Sequence, residues 1–476
     1  MPSLPDWLED LFTGSTYEHH SFQRLTRVYN NAISFTSLGG DFKPILNRKN
    51  GPTVVTIKGG LFHKIGTVLP ADGQLPAFAQ IFVVGQGGAE EAATRLAMAT
   101  NGGSSTYRGK WKLDPTIVEK LQDFLYSYNP YAKLYRRAGE ILAAGKEIRV
   151  ALVTVEKCGK DYRRYNAPTT EEIGIIIEGD GEIRAPRHVM LETREGDLQE
   201  ITDMHSAYFP LRYPLFFPYG SQQWEPTFKT LAKTPKKVSQ LEWFAYLLFK
   251  RPGQLNHILL GRALHQELVC DMYACVEKGR LDFIRYHQAE LRVDLYHSNV
   301  ESLDGAENSS KTKVLLPSTF IGGPRAMTQL YQDAMALVRE IGHPSLFITM
   351  TANPRWPEIQ ALIPPGDDPV DHPTIVARVF YLKVKYLMFQ LLKKSRLGKV
   401  VSYVSTIEFQ KRGYPHIHLM LTLDENSKPH APADVDRLVS AELPDPLEEP
   451  DLYEIVTTSM LHGPCKGRSC FVEGKC

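Results

Sequence analysis

His416 and His418 stand two residues apart in the string P-H-I-H-L-M-L, and metal ligation is the chemistry such a pair could do. On an extended strand, residues i and i+2 project to one face. Both imidazoles therefore leave the backbone together, while Ile417 and Leu419 point the other way. Just upstream, Glu408 and Gln410 share one side of a similar alternation, and Ile407 and Phe409 take the other. The break Lys411-Arg412-Gly413 between the two runs is a hairpin signature. Folding it back sets two imidazoles beside a carboxylate or an amide oxygen, a three-ligand set with positions left open. Glu408 is the favoured third ligand because its charge offsets that of a cation, and Gln410 shares its face. The plainer reading makes both histidines polar residues on the wet side of a half-buried hairpin.

Three elements are needed to hold that hairpin. Val400 to Gln410 is expected as the incoming strand. Pro373 to Lys394 is expected as a helix, with Val376, Phe380, Val384, Leu387 and Leu391 as its apolar stripe. Ser345 to Trp356, S-L-F-I-T-M-T-A-N-P-R-W, alternates Phe347, Thr349 and Thr351 with Ile348 and Met350, as a strand buried on one face does. The segment leading into the hairpin is basic. Between positions 383 and 412, eight Lys and Arg face Glu408 alone, a balance of +7, whereas positions 431 to 454 carry eight acids against Arg437, a balance of −7. A basic run beside the histidines is a candidate phosphate-binding surface, with Lys411 and Arg412 nearest.

The longer string E-F-Q-K-R-G-Y-P-H-I-H, Glu408 to His418, resembles the replication-initiator-like region of Helitron transposases, the Helitron helicase-like domain. H-hydrophobic-H on a strand, with an acidic or amide residue on the strand before it, is the metal motif of HUH single-strand endonucleases. Further strings resemble the same domain: P-L-F-F-P-Y-G, G-R-A-L-H-Q-E-L-V-C-D-M-Y, and the Ser345 strand. The resemblance implies an α+β fold. A C-terminal HUH-like antiparallel sheet, flanked by helices and with the histidine hairpin at its centre, would follow a helical segment and an N-terminal α+β module. It also implies single-stranded DNA as partner, a nuclear setting, and rolling-circle nicking and strand transfer. In such chemistry a metal neutralises charge building on the scissile phosphate. Mg2+ or Mn2+ suits a carboxylate-imidazole set, which is harder than zinc usually takes. Thr349, Thr351 and Asn353 are expected near the DNA path. The family's nucleophile is a tyrosine on a helix downstream of the histidines. Only Tyr453 follows His418 here, in an acidic segment, so the chain is expected to stop short of that helix and of the helicase. The alternative is a non-catalytic DNA-binding remnant. A histidine-triad nucleotide hydrolase would need a third histidine at position 420, where Met420 stands.

The expected domains are an N-terminal module, 1–205; a proline-aromatic connector and helical segment, 206–310; the nuclease-like core, 311–430; and an acidic segment with a Cys/His tail, 431–476. Residues 1 to 20 read as a loose lead-in, and F-A-Q-I-F-V-V as a strand. Ile117 to Ala144 reads as a helix broken at Asn129-Pro130, carrying Tyr131 and Tyr135 on one face. That Y-x3-Y spacing suits a two-tyrosine nuclease, but its position in the upstream module makes it a packing pair. Ser206 to Gly220 should be extended because its prolines separate aromatic rings. Gln240 to Arg251, Asn256 to Lys278 and Leu281 to His297 read as three helices, with Cys270 and Cys275 as packing residues. G-x5-G-K-E at Gly139 to Lys146 departs from a P-loop in length and lacks the Ser or Thr, so no ATP site follows. His462, Cys465, Cys470 and Cys476 form H-x2-C-x4-C-x5-C, which could hold Zn2+ or be free thiols.

Composition adds limits. With 43% hydrophobic and 23% charged residues and a net charge of +1, the 476-residue chain has an ordinary globular make-up. Six cysteines in so long a chain do not make a disulfide scaffold and fit a reducing, intracellular compartment. No apolar run approaches the length of a membrane span.

Overall fold

Capping residues open several of the helices. Thr16 and His19 cap each other, as do Ser239 and Glu242. Asp114 and Asn129 each stand before a proline and accept from the amides just beyond it. In a computed structural model the described residues are 3–45, 54–100, 106–107, 111–145, 148–152, 174–178, 189–191, 199–201, 203–221, 223–288, 314, 316–364, 367–369, 372–410, 413–440 and 442–461. The chain is mixed α and β with small antiparallel sheets, and divides into two units.

The first unit spans residues 1–325 with 363–373 and 411–413. It opens with helices α1 (Asp6–Thr13) and α2 (Tyr17–Ile33), where the sequence suggested a loose lead-in. Leu8, Phe12 and Phe22 are buried, and such amphipathic spacing in short helices gains its stability from packing rather than propensity. Strands β1 (Ser37–Ile45) and β2 (Val54–Ile65) pair antiparallel. Then come α3 (Ala79–Val84), α4 (Gly88–Ala99), the short pair β3 (Thr106–Tyr107) and β4 (Trp111–Lys112), α5 (Pro115–Tyr128) and α6 (Pro130–Ala143). F-A-Q-I-F-V-V, expected as a strand, is thus the helix α3; its run is apolar on every side because Ala79, Ile81, Phe82 and Val83 are all buried. Phe82 stacks on Phe35 at 4.3 Å, and Tyr131 and Tyr135 of α6 pack on the same ring. The Y-x3-Y pair is core, and burial pushes both phenols up.

Strands β5 (Ile148–Leu152), β6 (Gly174–Glu178) and β7 (Val189–Leu191) form a second sheet, ordered β6-β5-β7, while β8 (Gln199–Ile201) joins β2. Ser206 to Gly220 departs from expectation: Tyr208–Arg212 is a helical turn, α7, and the aromatics of the segment lie in the core. Tyr208, Phe209, Tyr213, Phe216 and Phe217 are each at most 3% exposed, so these rings hold the unit together and are closed to nucleobases. α8 (Gln240–Leu248) is followed by α9 (Arg262–Tyr286), a single helix where two were expected. Gly279 inside α9 has open space around it and does not break the helix. Cys270 and Cys275 are both free.

Two buried polar hubs bind this unit across long sequence separations. Asp271 of α9 accepts from His63 Nε2 at 2.7 Å, Tyr213 Oη at 3.0 Å and Tyr208 Oη at 3.1 Å. His63 Nδ1 meets the Tyr208 carbonyl at 3.0 Å, so both ring nitrogens face acceptors. Asp367 gathers Arg24 at 2.6 Å, His372 at 2.7 Å and Arg262 at 2.9 Å. Burial pushes the Asp367 carboxyl up, but His372, Arg262 and Arg24 together hold it at about 2.

The second unit spans residues 326–362, 374–410 and 414–476. Its elements are α10 (Pro324–Ile341), β9 (Leu346–Thr351), α11 (Pro357–Leu362), α12 (Pro373–Leu392), β10 (Val400–Phe409), β11 (Pro415–Leu423), α13 (Pro432–Leu438) and α14 (Pro450–Ile455). The helix and two strands expected around the histidines form at nearly the expected bounds. The sheet runs β10-β11-β9, all antiparallel, with the histidine strand at its centre. Leu387, Met388 and Leu391 of α12 pack on Leu419, Leu421 and Ile348, so the helix covers the sheet face opposite the histidines. Among the described residues no helix is long and apolar enough to cross a membrane.

Candidate metal centre

The register of the sheet assembles the site. Glu408 of β10 stands opposite His416, and Thr406 opposite His418; on the other flank Thr351 of β9 pairs with His416, and Thr349 with His418. Directly opposed residues of antiparallel strands share a face. The two histidines, Glu408, Thr349 and Thr351 therefore project from one side of the sheet. One ligand atom from each of Glu408, His416 and His418 can be chosen so that all lie within 4.8 Å of one another. Gly413, at φ +77°, supplies the left-handed residue of the turn that lets β11 return beside β10.

The three differ in exposure. His416 is 8% exposed, His418 is half-buried and Glu408 lies open to solvent. Glu408 Oε1 is 3.2 Å from His418 Nε2. The two imidazole centroids are 4.4 Å apart, with planes at 76°, so the rings meet edge to face. Thr351 Oγ1 lies 2.7 Å from His416 Nδ1 and fixes that ring from β9. Phe347, four residues earlier on β9, stacks on His418 at 5.6 Å and 18°. Among the described residues, His418 Nδ1 is buried with no hydrogen-bond partner.

This donor set fits a divalent cation: two imidazoles and one carboxylate converge, one imidazole nitrogen lacks a partner, and one side remains open. Each ligand's neighbours also restrict it, as metal sites require. Gln410 lies one residue beyond the last paired position of β10, and its backbone N–H donates to the Tyr414 carbonyl at 2.9 Å, closing the hairpin. Glu408 is the residue the register sets against His416.

The other expected site residues are distributed unevenly. Thr349 and Thr351 lie on the histidine face, and Thr351 does more than border it, since it holds His416. Asn353 Oδ1 accepts from the Arg355 amide at 2.9 Å, which makes it a turn former just past β9. Lys411, Arg412, His462, Cys465, Cys470 and Cys476 lie outside the described residues. Lys383 pairs with Glu358 at 2.7 Å and lies over the Trp356 ring, and Lys385 lies over Tyr381. Both lysines ride on α12, across the sheet from the histidines. Neither the stacking of Phe347 on His418 nor the Thr351 bond is among the sequence-based expectations. The alternation of β9 put Phe347, Thr349 and Thr351 on one face, but gave no register against β11.

Residues 243–421 match the family described as the Helitron helicase-like domain at N-terminus. The match runs from α8 into β11 and includes Glu408, His416 and His418, so the candidate centre lies within the matched span. No curated protein matches the chain.

Proposed function

We propose that this chain serves a Helitron transposase as a metal-dependent, single-stranded-DNA-handling domain of the HUH endonuclease type. The observation that carries the reading is the convergence of Glu408, His416 and His418 on one face of the central strand, inside the matched span. A bound Mg2+ or Mn2+ would neutralise charge on a scissile phosphate. The protein's own part is positional. β10 and β11 hold the three ligands in register, Thr351 sets the His416 ring, and Phe347 flanks His418 with an exposed aromatic surface beside the phosphate position.

Cleavage by this class of chemistry also needs a nucleophile in line with the leaving group. Tyr381 and Tyr386 ride on α12, and Tyr403 pairs with Leu421, so all three belong to the side of the sheet away from the histidines. On this reading the chain binds metal and single strands without capture by Tyr381, Tyr386 or Tyr403. Calorimetry with Mn2+ tests the centre: the native chain should bind, and His416→Ala with His418→Ala should not. Equal binding by the double variant would remove the metal reading. Incubation with labelled single-stranded DNA and Mn2+, followed by a denaturing gel, should show no covalent band. A band lost on Tyr381→Phe, Tyr386→Phe or Tyr453→Phe would reveal a nucleophile in this chain.

A further inference from the structure

A second surface, in the first unit and far from the histidines in sequence, combines free positive charge with exposed rings. Residues 228–238 form a small hairpin, closed by Val238 N–H to the Phe228 carbonyl at 2.9 Å and Thr230 N–H to the Lys236 carbonyl at 2.8 Å. Lys229 and Lys237 pair across it, and Lys233 and Lys236 lie between them. All four lysines are exposed, and among the described residues none of the four pairs with a carboxylate. Phe228 packs edge-on against Trp243 at 5.3 Å, and the Trp224 indole donates to the Val238 carbonyl at 2.8 Å, which fixes the hairpin against α8.

α8 itself has two unlike faces. Phe244 and Leu247 are buried and anchor it in the core. The other face continues as a ladder of planar groups: Trp243 stacks on Tyr246 at 5.6 Å and 25°, and Arg251 lies 4.2 Å from the Tyr246 ring and 5.6 Å from Phe249. Arg251 is held in place by the carbonyls of Tyr246 at 2.9 Å and Phe249 at 3.3 Å, which satisfies the end of α8. Phe249 is 62% exposed and Tyr246 53%. Between 229 and 251, six cations (Lys229, Lys233, Lys236, Lys237, Lys250 and Arg251) face only Glu242, a balance of +5. A structural role explains Arg251 and Trp243. It does not explain four lysines without a carboxylate partner among the described residues, on a hairpin that Phe228 joins to the Trp243 end of this ladder.

We propose that the 228–238 hairpin and the end of α8 form a metal-independent landing surface for single-stranded nucleic acid. The ammonium groups take the phosphates, and Phe249, backed by Arg251, takes an unpaired base. Cations along a backbone with aromatic rings under the bases are what single strands bind, because every base offers a stacking face. A duplex hides those faces and could use the lysines alone. The inference deepens the single-strand reading above and rests on it for the identity of the partner, but it needs neither the metal nor the histidine face.

The test uses the full chain in EDTA, a fluorescently labelled oligothymidylate, and anisotropy across a salt series, with circular dichroism to confirm each variant's fold. Replacing Lys229, Lys233, Lys236 and Lys237 by Ala should weaken binding more than tenfold. It should also flatten the salt dependence by about 0.7 for each phosphate the lysines no longer neutralise. Phe249→Ala should weaken it about tenfold, with the salt dependence unchanged. Native affinity and slope in the quadruple lysine variant would overturn the proposal. So would a Phe249→Ala variant that binds normally, or equal affinity for the matched duplex, since either reduces the surface to a general polyanion site. If the lysine and Phe249 variants bind as the native chain does while His416→Ala with His418→Ala loses the DNA, the strand is held on the histidine face, and this surface is excluded while the proposed function stands. If the native chain binds no oligothymidylate, both readings of the partner fail, and the Mn2+ calorimetry still judges the metal centre separately.

Discussion

Which nitrogen His416 offers to its neighbours depends on one hydroxyl. With Thr351 Oγ1 at 2.7 Å from Nδ1, a proton on Nδ1 shared with Thr351 leaves the Nε2 lone pair free for a cation. Thr351→Val keeps the shape and β-branching of the strand residue and removes that partner. Mn2+ affinity should then fall about 10- to 100-fold, the usual scale for an outer partner of a metal-bound histidine. Thr351→Ser should restore most of it. Calorimetry reads both, and native affinity in the valine variant would show that the bond does not orient the ring. At this scale the sequence was legible where strand period determines direction: His416, His418 and Glu408 share a face because alternation requires it. The Thr351 bond was not legible, because alternation says which face a residue takes but not which strand will lie beside it.

At the scale of elements, legibility followed local signals. The helix break at Asn129-Pro130, the hairpin at Gly413 and the stripe of α12 were all readable from caps, turns and spacing. The errors share a cause: tertiary burial overrode the local pattern. Tyr208 to Phe217 looked like an extended connector because of its prolines. Its rings instead line the core, where Asp271 of α9 draws in the hydroxyls of Tyr208 and Tyr213 and burial pushes both phenols well up. Residues this far apart in sequence announce no such meeting. Asp271→Ala should therefore destabilise the first unit by about 3 kcal/mol or more, since it leaves two phenols and His63 buried without their acceptor. Urea denaturation would measure the loss, and a native midpoint would show that the three donors find other partners.

Across the molecule, Asp367 is one carboxyl through which acid should act. Its folded carboxyl sits at about 2, below the ordinary 3.8, so the unfolded chain binds the proton more readily than the folded one. The stability it contributes is complete above roughly pH 4 and is lost as pH falls through the interval down to about 2. Asp367→Asn should lower stability at neutral pH, because Arg24, Arg262 and His372 lose their shared charge partner. It should also make stability less sensitive to acid across that interval. Denaturation midpoints of both proteins at a series of acidic pH values check this, and parallel curves would exclude Asp367 as the acid-sensitive group. Nothing local marked this residue out, since D-D-P-V-D-H reads as a turn and the guanidinium of Arg24 comes from the other end of the sequence.

The candidate ligands come from two different strands, and one of those strands is an edge. Among the described residues β10 pairs only with β11, and its residues are largely exposed, so one ladder of hydrogen bonds does most to keep it closed. A cation joining Glu408 to His416 and His418 would act as a staple across that ladder. The amides of β10 should then exchange with deuterium several-fold more slowly when Mn2+ is added, while those of the distant helix α6 keep their rates. In the His416→Ala, His418→Ala chain the added metal should slow neither. The centre would then set how long the edge of its own sheet stays shut, and the face that carries it would be stiffer with metal than without.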